Sequence, residues 1–331
     1  MSVARFVAGV FGVLIALGAV ATVPAVGRAA EGARYALIIQ GASGEEQYAT
    51  LHRRWVSELG AALRDRFRYG AANVITIAEQ PAAGESRSTA ENIRGVIARL
   101  AKSLTPDDQL AVFFIGHGTG DGADAKFNLI GPDLTIAQWK ALLDTIPARL
   151  VVLDTTSGSF PFLAGLAGKD RIVITATSTG SQKYHTQFPE AFIAALTSPD
   201  TDLDKNSRLS FLELFSQTTR LVKQHYEQKN VMATEVAVFD DNGDGKGQMA
   251  ASDAGDGRLA GLTYLDPPAV VTTTNPELQK LLARQQALTE QIDDLRRRQP
   301  TIPAAEYTTQ LEALLVQLAE VSRDVRRRQG N

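Results

Sequence analysis

The segment Leu110-Ala-Val-Phe-Phe-Ile-Gly-His-Gly-Thr-Gly120 decides the fold class. Its first six residues are apolar and rich in branched and aromatic side chains, which predicts a buried β-strand. A second segment, Leu150-Val-Val-Leu-Asp-Thr-Thr-Ser-Gly-Ser-Phe160, repeats the design: a short apolar run is followed by small polar residues. Both segments therefore predict buried strands that end in polar turns.

Short apolar runs of this kind alternate with amphipathic segments along most of the chain. The predicted strands are 35–39, 74–77, 110–115, 150–153, 172–175 and 236–239. The predicted helices are 45–68, 88–104, 135–144, 189–197 and 210–229. Ser88 with Glu91, and Thr135 with Gln138, have the spacing of capping boxes at two helix starts. Alternating strands and helices predict an α/β fold, a mostly parallel sheet with helices on both faces.

The C-terminal region has a different pattern, which begins after Pro267-Pro268 and a threonine-rich linker. Apolar residues at steps of three and four form two heptad-like seams, separated by Pro300 and Pro303. The pattern predicts either an α-helical hairpin or a coiled coil that pairs two chains. Arginine clusters at 296–298 and 326–328 lie at the C-terminal ends of the two predicted helices, where positive charge interacts favourably with the helix dipole. The alternative is that these clusters bind phosphate. The predicted divisions are a signal peptide at 1–30, an α/β domain at 31–266, a linker at 267–275 and the helices at 276–331.

Composition and the N-terminus limit the classes of function. The chain has 331 residues, a net charge of −3 and no cysteine, which excludes disulfides and a thiolate nucleophile and gives no indication of nucleic-acid binding. Arg5, an apolar run over 6–23 and the small residues around Arg28 have the layout of a secretory signal peptide. We therefore expect a protein that is exported to the periplasm or secreted, and an uncleaved membrane anchor is the alternative.

The polar turns after the two buried strands carry the candidate chemistry. His117 lies between two glycines at the end of one strand, and the hydroxyl-rich turn 154–159 follows the next strand. Because ligands bind at the carboxyl ends of strands in open α/β sheets, we expect these groups to face one another. A histidine opposite a nucleophile-bearing turn is an acyl-transfer arrangement. The alternative interpretation is a turn in which His117 merely caps a strand end.

The two strand-end motifs resemble those of the legumain-like cysteine peptidases of the caspase and gingipain clan. His117-Gly118 matches the family's His-Gly, and Ser157-Gly158-Ser159 matches the Ser-Gly-Ser that follows its catalytic cysteine. The resemblance covers about residues 34–245 and includes the opening loop 41–48. It implies a caspase-like fold in which the site residues are His117, Gly118 and Thr155, with Thr155 at the position of the cysteine.

This departure sets the functional expectation. A threonine hydroxyl is far less acidic than a thiol and needs a strong base. The resemblance therefore implies a pseudo-peptidase that binds a peptide or protein ligand without cutting it. A separate expectation, from the heptad pattern, is self-association through the C-terminal helices. The alternative is an active hydrolase that uses Thr155 or a neighbouring hydroxyl with His117.

An acidic segment that follows the predicted helix 189–197 has the spacing of an EF-hand calcium loop. The candidate Ca²⁺ ligands are Asp202, Asp204, Asn206, Arg208 through its carbonyl, Ser210 and Glu213. Ser207 takes the place of the usual glycine at the sixth position. The alternative is that Ser210 and Glu213 form a capping box and the aspartates form a solvated turn.

A second acidic run, 240–247, resembles the start of another such loop. Its twelfth position is Ala251, so the bidentate glutamate is missing. We expect a glycine-rich turn there, and weak cation binding is the alternative.

Overall fold

The computed structural model describes residues 32–120, 122–180, 185–252, 255–267, 273 and 275–329. The predicted signal peptide and most of the predicted linker lie outside these residues. Within them, no helix is long and apolar enough to span a bilayer.

The described part of the chain contains ten strands and nine α-helices. The strands are β1 (Arg34–Gln40), β2 (Val74–Ala78), β3 (Ser86–Arg87), β4 (Gln109–Ile115), β5 (Gly118–Thr119), β6 (Lys126–Phe127), β7 (Leu134–Thr135), β8 (Arg149–Asp154), β9 (Arg171–Thr175) and β10 (Val238–Asp240). The helices are α1 (Glu46–Asp65), α2 (Ala90–Ser103), α3 (Ile136–Leu143), α4 (Phe160–Leu166), α5 (Phe188–Thr197), α6 (Phe211–Gln228), α7 (Arg258–Gly261), α8 (Pro276–Arg298) and α9 (Ala304–Gln329).

Seven strands form the main sheet in the order β10-β9-β8-β4-β1-β2-β3. All neighbours are parallel except β10, which runs antiparallel to β9. The predicted mostly parallel sheet is therefore confirmed. The last predicted strand was placed two residues too early, because Val236 is 42% exposed and the pairing with β9 begins only at Val238.

Side chains alternate between two cores on opposite faces of the sheet, as the pleat requires. Along β1, Ala36 and Ile38 pack with α1, α5 and α6. Leu37 and Ile39 pack against α2, α3 and α4. Helices therefore cover both faces, as predicted from the near-continuous apolar runs of the strands.

The helix starts test the predicted capping boxes. At α3, Thr135 Oγ1 accepts from the Gln138 N–H at 3.2 Å and the Gln138 side chain accepts from the Thr135 N–H at 3.0 Å, which confirms that box. The box at Ser88 was wrong: α2 is capped by Thr89, which accepts from Asn92. The reason is that the Ser88 N–H donates to Ala78 and continues the pairing of β3 with β2, so the helix begins later.

The C-terminal helices α8 and α9 pack against each other within one chain. Arg284 donates to Gln317 at 2.7 Å, and Gln285 donates to Ser322 at 2.9 Å. Leu288 and Leu295 of α8 are buried. The predicted helical pair is confirmed as a hairpin, whereas self-association through it stays a prediction.

Candidate functional site at the carboxyl edge of the sheet

The chain reverses its direction of winding between β1 and β4. From β1 it proceeds to β2 on one side of the sheet and then returns to β4 on the other. Such a switch point opens a crevice outside the carboxyl ends of the strands. The turns after β1, β4 and β8 meet at this edge, and His117 follows β4.

The turn after β8 lies directly against the end of β4. The Phe114 carbonyl accepts two hydrogen bonds from Thr155, one from its N–H at 3.1 Å and one from its hydroxyl at 2.8 Å. The ends of β4 and β8 are therefore adjacent, as the sequence predicts.

Glycines allow the strand-end turns to touch one another. A Cβ placed on Gly118 would lie 2.6 Å from Thr156 Oγ1 and 3.0 Å from the Gly158 backbone. A Cβ on Gly116 would lie 3.1 Å from Gly41. The space beside both glycines is therefore filled by the chain's own neighbouring turns.

The His117 imidazole is half-buried and points toward α1. Its ring makes edge contacts with Tyr48, at 4.7 Å between centroids, and with His52, at 5.0 Å. Burial lowers the pKa of His117, while a hydrogen bond with the Ser43 backbone and the charges of Glu45 and Glu79 oppose this shift. The imidazole is therefore neutral at pH 7 and able to accept a proton.

His52 forms the buried floor beneath His117. It has no exposed surface, and its Nδ1 lies 3.0 Å from Ser43 Oγ. Its Nε2 is buried without a hydrogen-bond partner among the described residues. Burial, reinforced by the charges of His117 and His185, lowers the pKa of His52 to about 3.

A third histidine completes an aromatic cluster. His185 stacks on Trp55, with ring planes 4° apart and centroids at 5.5 Å, and lies 5.6 Å from Tyr48. Trp55 in turn donates its indole N–H to Glu190 at 2.7 Å. Burial and the charge of His117 lower the pKa of His185. Three of the chain's four histidines therefore gather here.

Sequence reasoning identified His117 but missed Ser43, Tyr48, His52 and His185 as its neighbours. Tyr48 and Ser43 lie in the opening loop 41–48, which the family resemblance had included. The signal that was present is the scarcity of histidine, because His52 and His185 both lie in segments joined to strand ends at this edge.

The hydroxyls after β8 differ in their availability. Thr155 is 1% exposed, and its hydroxyl donates to Phe114. Ser159 is fully buried and pairs with Thr177 Oγ1 at 3.0 Å. Thr156 is 1% exposed. Ser157 alone of the four hydroxyl-bearing residues is half-buried rather than buried.

A carboxyl group lies beneath the same turn. Asp154 has no exposed surface, and its Oδ1 accepts from the Thr156 N–H at 2.9 Å. Burial raises the pKa of Asp154 to about 7, against the effect of hydrogen bonding from Thr156. This group holds the turn in place and has no exposure through which it could act on a ligand.

The predicted calcium loop brings three of its acidic side chains together. Carboxylate oxygens of Asp202, Asp204 and Glu213 lie within 4.8 Å of one another, the only such group of three metal-ligating side chains in the described part of the chain. Asp202 accepts from the Asn206 and Ser207 N–H groups at 3.1 and 3.0 Å. Ser207 has φ of +64° at the position where such loops carry glycine.

The capping box that we considered as the alternative is present in the same loop. Glu213 Oε2 accepts from the Ser210 N–H at 2.9 Å, and Ser210 Oγ accepts from the Glu213 N–H at 3.2 Å. Glu213 Oε1 accepts from Leu203 at 2.9 Å. Glu213 is therefore a helix cap, and this geometry also aims its carboxylate at the two aspartates. The calcium interpretation stays a prediction.

The second acidic run forms a tight turn. Asp240 accepts from the N–H groups of Gly243 and Gly245 at 2.7 and 2.6 Å, and Asp244 forms an ion pair with Lys246 at 3.7 Å. Asp240 is 1% exposed. Its carboxylate is thus used by the loop's own backbone, which favours the glycine-rich turn over a cation site.

Comparison with known proteins gives similarity to solved structures alone. No protein-family model and no curated protein matches the chain. Caspase-1 from Spodoptera frugiperda is 12% identical, with a TM-score of 0.42, over 64% of this chain and 89% of that chain. The Drosophila initiator caspase Dronc is 11% identical, with a TM-score of 0.40, over 65% of this chain and 81% of that one. A secreted C11 cysteine protease from Bacteroides thetaiotaomicron is 10% identical, with a TM-score of 0.36, over 63% and 66%. Similarity at this level assigns no residue a role, so the roles of residues here rest on this chain's own geometry.

Proposed function

We propose that this protein is a non-catalytic relative of the caspase-like cysteine peptidases that binds peptides or proteins at the carboxyl edge of its sheet. The observation that carries the proposal is the state of Thr155. Its hydroxyl is buried and donates to the Phe114 carbonyl. A nucleophile needs an accessible oxygen whose proton passes to a base, and this hydroxyl has neither.

The cluster around His117 supports ligand binding at the same edge. Half-buried aromatic and imidazole rings, with a carboxylate at Glu190 nearby, combine apolar surface with a few polar groups, as binding sites do. His117 and Tyr48 are both half-buried, so a ligand has surface to contact. Because the rings are held by Ser43, Trp55 and one another, the site is pre-formed.

The alternative is hydrolysis by a neighbouring hydroxyl. Two observations favour it: the lowered pKa of His117 keeps this imidazole neutral at pH 7, and Ser157 is only half-buried. Ser157, rather than Thr155, is therefore the residue to which this alternative points.

Binding of labelled peptide pools tests the proposal. Fluorescein-labelled random decapeptide pools, measured by anisotropy, should include pools that bind the wild type. His117→Ala should weaken them about tenfold, because it removes a central aromatic contact of about 1.4 kcal/mol. His225→Ala is the matched control, since His225 lies in α6 outside the cluster, and should bind as the wild type does. Equal affinity in the two variants, or no bound pool, would contradict the proposal.

We also propose that the loop 202–213 binds Ca²⁺. The convergence of Asp202, Asp204 and Glu213 supports this, since Ca²⁺ prefers several carboxylate oxygens. Burial and the charges of Glu213 and Asp202 raise the pKa of Asp204, and a divalent cation would relieve that repulsion.

A further inference from the structure

A cavity of about 370 Å³ lies at the β10 edge of the sheet. In the sheet, β8 and β9 lie between β10 and β4, the strand that precedes His117. The walls come from α6, the start of α5, the segment that precedes β10, Ala176 after β9 and Met249 after β10. We call this the Glu235 cavity; the side chains used below are Phe188, Val222, Ala233, Glu235, Val236 and Met249. Its volume is in the range of small-molecule sites.

Most of the lining is apolar, and its outer part is exposed. Phe188 and Val222 are buried, whereas Val236 is 42% and Met249 67% exposed. Exposed apolar side chains grouped around a concave surface mark a place where an apolar group binds.

Glu235 is the one carboxyl group among the described residues that line the cavity. It is 3% exposed. Its Oε1 accepts from the Gln187 N–H at 2.7 Å and from the Tyr226 hydroxyl at 3.2 Å. Its Oε2 is buried and has no hydrogen-bond partner in the described structure. A buried carboxyl oxygen without a partner is costly, so its presence in a cavity wall requires an explanation.

The nearest cation in the lining does not supply that partner. Lys223 lies at the rim, its side chain is 77% exposed, and its ammonium is 3.6 Å from Glu227. Burial raises the pKa of Glu235 to about 7, against the effect of hydrogen bonds from the Gln187 N–H, the Tyr226 hydroxyl and the Phe188 N–H. The carboxyl group is therefore one that a bound cation would return to its ionised form.

We propose that the Glu235 cavity binds a small amphiphilic amine, whose apolar body fills the cavity and whose ammonium group pairs with the Glu235 carboxyl group. A charge-assisted hydrogen bond of this kind is about twice as strong as a neutral one. The apolar body displaces water from Phe188, Val222 and Met249. The lining of the cavity contains none of the rings that contact His117.

The test compares 2-phenylethylamine with 2-phenylethanol by isothermal titration calorimetry on the wild-type protein. The two probes have the same shape and differ in charge. The amine should bind about tenfold more tightly, because hydrogen bonds to charged groups exceed neutral ones by roughly one factor of ten. Glu235→Gln keeps an acceptor for Gln187 and Tyr226 and should reduce the amine's advantage to about twofold or less. Lys223→Ala is the matched control and should leave it unchanged.

A second variant keeps the proposal testable if Glu235→Gln does not fold. Ala233→Leu adds bulk at an exposed lining position and should abolish binding of both probes. The proposal is overturned if the wild type binds neither probe at millimolar concentration or binds both equally. It is also overturned if the preference for the amine survives in Glu235→Gln, or if Ala233→Leu binds as the wild type does.

Discussion

Thr155 has a structural role that differs from the catalytic role implied by the family resemblance. The resemblance puts it in the nucleophile position, but its two hydrogen bonds to Phe114 make it part of the link between β4 and β8. Thr155→Val keeps the shape and the N–H bond and removes the hydroxyl bond. We expect a loss of about 1 kcal/mol in the free energy of unfolding, the usual value of one neutral hydrogen bond.

Urea denaturation measures this change, and Thr155→Ser is its control because serine keeps the hydroxyl. Peptide affinity should be the same in the wild type and Thr155→Val. A Thr155→Val variant with native stability but altered peptide affinity would show that Thr155 acts on the ligand instead of joining the strands.

His52 makes the stability of the protein depend on pH. Its folded-state pKa of about 3 lies below the unfolded value of 6.5. Between these values the unfolded chain takes up a proton that the folded chain does not, so acid favours unfolding. The wild type should lose up to about 1.4 kcal/mol per pH unit from this histidine as pH falls below 6.5. Raised carboxyl pKa values, as at Asp154, act in the opposite direction.

A difference measurement isolates His52 from those carboxyl groups. His52→Asn retains a partner for Ser43 and removes the titration. Its destabilisation relative to the wild type should be largest near pH 7 and shrink by up to about 2 kcal/mol at pH 5. His225→Asn, outside the cluster, should show little change. A destabilisation by His52→Asn that is the same at pH 7 and pH 5 would mean that His52 does not remain neutral in the folded protein.

Much of the site could be predicted at the residue scale because strand ends are easy to locate in a sequence. His117 and the turn 154–159 follow apolar runs, and parallel strands bring their ends to one edge. The partners of His117 could not be found in this way. His52 lies on a helix and His185 in a loop, and only tertiary packing brings their rings together.

At the scale of elements, Glu213 in the loop before α6 has two possible roles, as part of the helix cap and as a Ca²⁺ ligand. Glu213→Gln preserves the helix cap, since glutamine serves in capping boxes, but removes a carboxylate. Calcium should raise the wild-type melting temperature. At a free Ca²⁺ concentration of one hundred times Kd, binding adds about 2.7 kcal/mol to the free energy of unfolding. Glu213→Gln should lose most of this shift.

Asp244→Asn, in the second acidic run, is the matched control and should keep the full calcium shift. Differential scanning calorimetry with and without Ca²⁺ gives both values. An equal shift in Glu213→Gln, or none in the wild type, would leave the cap as the only role of Glu213.

Element boundaries were less predictable than element types. The cap of α2 lies one residue later than expected, at Thr89 instead of Ser88, because the Ser88 N–H donates to the Ala78 carbonyl of β2. The strand at the sheet edge begins at Val238, since edge pairing depends on β9 and not on the local apolar run. The short helix α4 was not anticipated, because seven residues carry too little periodicity.

At the scale of the whole molecule, the protein is an α/β domain with His117 and a hydroxyl-rich turn at one edge of its sheet. The two-sided sheet and the helical pair follow from apolar periodicity, which extends over many residues and is therefore a strong signal. The Glu235 cavity had no such signal, since its walls come from α5, α6 and the segment before β10.

Mass spectrometry of peptides after incubation with the protein tests the central claim most directly. A random decapeptide pool, kept with stoichiometric wild-type protein at pH 7 with Ca²⁺, should be recovered intact, with no more cleavage than in His117→Ala or Ser157→Ala samples. Intact peptides are expected because the Thr155 hydroxyl is buried and donates to the Phe114 carbonyl. Cleavage by the wild type that disappears in both variants would contradict it and establish a serine hydrolase.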